Sequence, residues 1–68
     1  MRTVDRIGTR EIINGEVYVH FDFRSLSSDG KVTEFDGCKV RNGSTDYEID
    51  TCKLSVYDAE NQTWNEVV

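Results

Sequence analysis

The stretch Glu16-Val17-Tyr18-Val19-His20-Phe21-Asp22-Phe23-Arg24 decides the fold. An apolar side chain stands at every second position from Val17 to Phe23, with polar or amphipathic ones between. That period of two marks a half-buried β-strand. Outward from it, Asn14-Gly15 precedes the stretch, Asp29-Gly30 follows it, and Asn42-Gly43 punctuates the next alternating run. Asn or Asp followed by Gly accepts the left-handed backbone of tight hairpin turns. Each pair therefore predicts antiparallel strands on either side.

The turns set a register. A loop at Ser28-Asp29-Gly30 pairs Leu26 with Val32, Arg24 with Glu34 and Phe23 with Phe35, so like meets like and opposite charges meet. A loop at Arg41-Asn42-Gly43 puts Phe35 opposite Ile49 and sets Tyr47 beside Gly37, an aromatic compensating for a strand glycine. The expected core face is Val19, Phe21, Phe23, Phe35, Tyr47 and Ile49. Farther along, the apolar set shifts to Cys52, Leu54 and Val56, which calls for a β-bulge near Asp50–Cys52. Val4–Ile13 pairs with Glu16–Phe23, and Lys53–Tyr57 with Trp64–Val68 through Asp58–Thr63. The expected fold is all-β: a five-stranded antiparallel meander curled into a small barrel or strongly coiled sheet, with residues 1–68 as one domain. Helical periodicity, internal repeats and linkers are absent from the pattern. Residues 56–64 resemble the outer hairpin of a kelch-propeller blade, without the Gly-Gly pair of that repeat. The likeness implies a hairpin with Tyr57 packed on Trp64 and nothing about function.

At 68 residues, ordering the chain costs nearly as much as apolar burial returns, so a homodimer would help stability. No run approaches the roughly 20 apolar residues of a membrane helix. The N-terminal residues are read as carrying no signal peptide, the expected location is cytoplasmic, and Cys38 and Cys52 are expected to stay unbonded. The net charge is −5, from 13 acids and 8 bases. Residues 1–43 hold seven of each, whereas residues 44–68 hold six acids and only Lys53. Such a balance disfavours nucleic acid and anionic membrane and favours a basic protein partner.

In this register the face opposite the core gathers His20, Asp22, Arg24, Glu34, Asp36, Cys38, Asp46, Glu48 and Asp50. Asp22, Glu34, Asp36, Asp46, Glu48 and Asp50 are the expected partner-binding residues. His20, Cys38, Asp22 and Asp36 form a minor candidate metal cluster, without the local ligand spacing of a zinc site or a calcium loop, so no metal or other cofactor is expected. Catalysis by a Cys38–His20 pair would need an orienting group and a pocket that a small sheet lacks, so no enzyme is expected. The aromatics sit among acids, which argues against stacking on single-stranded nucleic acid. Asn42-Gly43-Ser44 and Asn61-Gln62-Thr63 fit the glycosylation sequon but read as turns. The expected function is a small acidic protein-binding module. Its leading form is a stoichiometric inhibitor docked on the basic, nucleic-acid-binding surface of another protein, like phage anti-defence proteins such as CRISPR inhibitors, by class analogy only. The alternative is a self-assembling structural or accessory subunit joined through sheet edges.

Overall fold

Residues 16–25 do form a strand, and the rest of the sheet is arranged on its two edges. The structure, a computed structural model, describes residues 1–67; Val68, the end of the expected last strand, lies outside the described residues. Along the chain run β1 (Thr3–Ile13), β2 (Glu16–Ser25), a 3₁₀ turn (Ser27–Asp29), β3 (Glu34–Phe35), β4 (Cys38–Val40), β5 (Thr45–Glu48), β6 (Lys53–Asp58) and β7 (Thr63–Glu66). Among the described residues they make one all-β sheet of seven strands, coiled into an open half-barrel. The expected first and last hairpins are present. Asn14 and Gly15, at φ 52° and 80°, turn β1 into β2. Tyr57 faces Trp64 across β6 and β7, with ring centroids 4.9 Å apart. No helix among the described residues is long and apolar enough to cross a membrane.

The middle of the chain departs from the expected meander. One edge of β2 pairs antiparallel with β1; the other pairs parallel with β4 and then β5. Asp29-Gly30 makes no hairpin, because Asp29 Oδ2 accepts the Leu26 N–H at 2.8 Å and closes the 3₁₀ turn on itself. Residues 26–37 then run as the crossover that parallel strands require. The hairpin turn is the neighbouring Asp36-Gly37, at φ 52° and 77°, which sets Phe35 opposite Cys38. Leu26–Val32, Arg24–Glu34 and Phe23–Phe35 are therefore not strand neighbours. Phe23 and Phe35 still meet edge-on in the core, 5.3 Å between ring centroids. In place of the expected bulge at Asp50–Cys52 there is a reverse turn: Cys52 sits at φ 57° and donates its N–H to Glu48 O at 2.8 Å. That turn sends β5 back as β6.

β4 and β5 lie end to end along β2, interrupted at residues 41–44. The buried Ser44 spans the break. Its Oγ accepts the Phe21 N–H at 3.1 Å and donates to Arg41 O at 2.7 Å. Val19, Phe21 and Phe23 from β2, with Val40 and Tyr57, form the buried core, and Val32, Phe35, Cys38 and Trp64 close over it. Trp64 Nε1–H donates to Val32 O at 2.9 Å and ties the crossover down. Tyr47 and Ile49 are not in the core. Because β5 sets Asp46 beside Phe23 and Tyr47 beside Arg24, its phase is one residue away from the expected one. Tyr47 points outward, under the Arg24 guanidinium at 5.6 Å, and Ile49 is 55% exposed in the turn.

Candidate docking surface

The six expected partner-binding acids do not share a face. Asp46 lies inside, 0% exposed. Its Oδ1 accepts the Ser25 hydroxyl at 2.6 Å. Its Oδ2 has no hydrogen bond but lies 3.8 Å from Arg2 and 3.9 Å from Lys31. Glu48, on the same side, pairs with Lys31 and accepts the Thr51 hydroxyl at 2.8 Å; these two hold its carboxyl below the usual range. Asp50 accepts the Ser27 N–H at 2.9 Å and the Ser27 hydroxyl at 2.6 Å, which lowers its pKa as well. Asp22 stays on the outer face of β2. Burial pushes its carboxyl up, but the Thr45 hydroxyl at 2.7 Å and His20 Nε2 at 3.0 Å pull it lower overall. Glu34 stands opposite Lys39 in the β3–β4 hairpin, and Asp36 occupies its turn. A carboxylate survives burial only when paired and hydrogen-bonded. Here the cations arrive from positions 2 and 31, far from Asp46 in sequence, and offset two of the six acids of the last third, Asp46 and Glu48.

The minor metal cluster is dispersed too. His20 and Asp22 lie on the outer face, Cys38 packs against the core and Asp36 is in a turn. Among the described residues no three His, Cys, Asp or Glu side chains are placed to hold one ion. Cys38 and Cys52 are both free thiols.

One strip that the fold leaves uncovered is apolar. In the β1–β2 register Val4 faces Phe23, Ile7 faces Phe21, Arg10 faces Val19 and Ile12 faces Val17. Directly opposite residues share a face, so Ile7, Arg10 and Ile12 extend the inner face that carries the core. The crossover and β6–β7 cover the phenylalanines but not this extension: Ile7 is 67% exposed and Ile12 69%. A groove opens there. Val19 and Phe21 form its floor, Ile7 and Arg10 one wall, and Asp36 and Cys38 the other. Nearby charges are paired, Lys39 with Glu16 at 3.1 Å and Arg41 with Glu11 at 3.4 Å. Arg10 and Asp36 make no ion pair among the described residues within 4.0 Å.

The free edge of β1 is a poorer docking element than this face. Two register shifts interrupt it, between Val4 and Arg6 and between Ile7 and Arg10. At the second, the chain passes so close to His20 that a Cβ on Gly8 would stand 3.1 Å from the ring. Bulges and charged side chains break the row of backbone groups that strand addition needs. The Asn14-Gly15 turn by itself sets Ile12 opposite Val17, but only the register shift between Ile7 and Arg10 brings Ile7 opposite Phe21, so half of the strip has no signal in the turn pattern.

No family model matches the chain, and no curated protein and no solved structure matches it.

Proposed function

We propose that this chain is a non-catalytic protein-binding module that captures a protein partner on the inner face of the β1–β2 hairpin. The observation that carries this reading is the apolar strip that continues out of the core through Ile7 and Ile12, with none of the described residues packed over it. Exposed apolar strips bordered by charge are what protein interfaces are made of. A module of this kind acts by occupying its partner's surface, as an inhibitor or accessory subunit does. Docking through an acidic sheet face onto a basic partner has less to rest on, since Asp46, Glu48 and Asp50 are engaged within the fold.

The test is Ile12→Asp. The side chain is exposed, so the variant should keep its melting temperature within a few degrees and lose partner capture from native lysate. An unchanged set of captured proteins, with a second copy of this chain counted among them, would sink the proposal.

A further inference from the structure

We propose that the partner on this strip is a second copy of the chain, docked face to face about a two-fold axis running along the strands, with Arg10 of each copy against Asp36 of the other. This rests on the docking reading above and names its occupant.

The groove is complementary to itself. The groove has a cation on its β1 wall and an anion on its β3–β4 wall, with Val19 and Phe21 between them. Among the described residues neither charge has an ion-pair partner within 4.0 Å, while the flanking Glu11 and Glu16 are already paired. In a two-fold interface residue i of one copy meets residue j of the other, and j meets i. An axis along the strands exchanges left and right across the groove, so the β1 wall of each copy faces the β3–β4 wall of its mate. Two Arg10–Asp36 pairs form at once, and the exposed Ile7 and Ile12 of each copy are covered by the other. The local charge is balanced, so the net −5 of each copy is not concentrated at the contact. The interrupted edge of β1 disfavours the competing arrangement, a continuous sheet through β1–β1 pairing. A chain of this length also gains most from a second core layer.

The experiment uses the full chain and two charge reversals, Arg10→Glu and Asp36→Lys, measured by sedimentation across a concentration series. The wild type should move from 7.8 kDa toward twice that mass as concentration rises. Each reversal sets like charges against each other and should weaken dimerisation about tenfold or more. An equimolar mixture of the two variants should regain the dimer. In the mixed pair the new acid of one variant meets the new base of the other, and the unchanged Asp36 of the first meets the unchanged Arg10 of the second. Recovery on mixing also shows that neither variant was lost to misfolding. A wild type that stays at 7.8 kDa throughout overturns the inference. So does a dimer indifferent to both reversals, or a mixture that stays monomeric. If the wild type is monomeric while Ile12→Asp still abolishes capture of a different protein, the second copy is ruled out and the docking surface stands.

Discussion

Ser44 shows how much one hydroxyl can hold at a break in a sheet. Where β4 stops and β5 has not begun, the Phe21 N–H of β2 has no backbone acceptor, and Ser44 Oγ takes it at 3.1 Å while donating onward to Arg41 O. The site is buried, so water cannot substitute. Ser44→Ala should leave that N–H unsatisfied and cost about 1–3 kcal/mol. Chemical denaturation checks it, with the exposed Ser28→Ala as control; equal midpoints for the two variants would show that the bridge contributes nothing. Asp46 teaches the complementary lesson. Its identity reads as surface, yet it sits beside Phe23 with Ser25, Arg2 and Lys31 around it. No local alternation foretells that, because the groups that make its burial tolerable come from three separate segments.

Among elements, the crossover of residues 26–37 gives the sheet its inner cover. It is anchored at Phe35, edge-on to Phe21 at 5.5 Å and to Phe23 at 5.3 Å, and by the Trp64–Val32 hydrogen bond. Phe35 is half-buried, so Phe35→Ala should cost about 3 kcal/mol, the low end for a core phenylalanine. The crossover should loosen first, and the Val40 amide, which donates to Thr33 O at 3.0 Å, should exchange faster. Hydrogen exchange and thermal melting measure both; a variant with unaltered melting temperature would mean the crossover is not held by this ring. The two Asp-Gly pairs explain why the turn pattern misplaces this element. Asp36-Gly37 takes the paired left-handed angles of a hairpin, whereas the Asp29 side chain turns back on Leu26 N–H. The dipeptide is the same; what differs is the packing beside it, since Phe35 enters the core just before Asp36, whereas Asp29 lies in the first turn of the crossover, which buries none of its residues.

At the scale of the whole molecule, many carboxylates that look like surface charge are structural, and acid should reveal it. Glu48 is lowered chiefly by its bond to Lys31, Asp50 by Ser27 and Asp58 by Asn61. A carboxylate whose folded pKa is depressed adds stability above its ordinary value, 4.5 for Glu48 and 3.8 for Asp50, and that stability goes as pH falls through the lower folded value. The melting temperature should therefore hold from neutrality to about pH 5 and fall below about pH 4, with a smaller fall in Glu48→Gln. A protein as stable at pH 3 as at pH 7 would show that these contacts carry no weight. By itself the sequence determined the fold class, the strand β2 and its inward phenylalanines, and the first and last hairpins. Period-two alternation and adjacent turn residues act within a few positions, so they can be read along the chain. Only the tertiary structure decided the strand order, the phase of β5, the burial of Asp46 and the loss of a common acidic face. Those depend on which distant segments meet on the second edge of β2, and a one-residue change of phase there exchanges inside for outside.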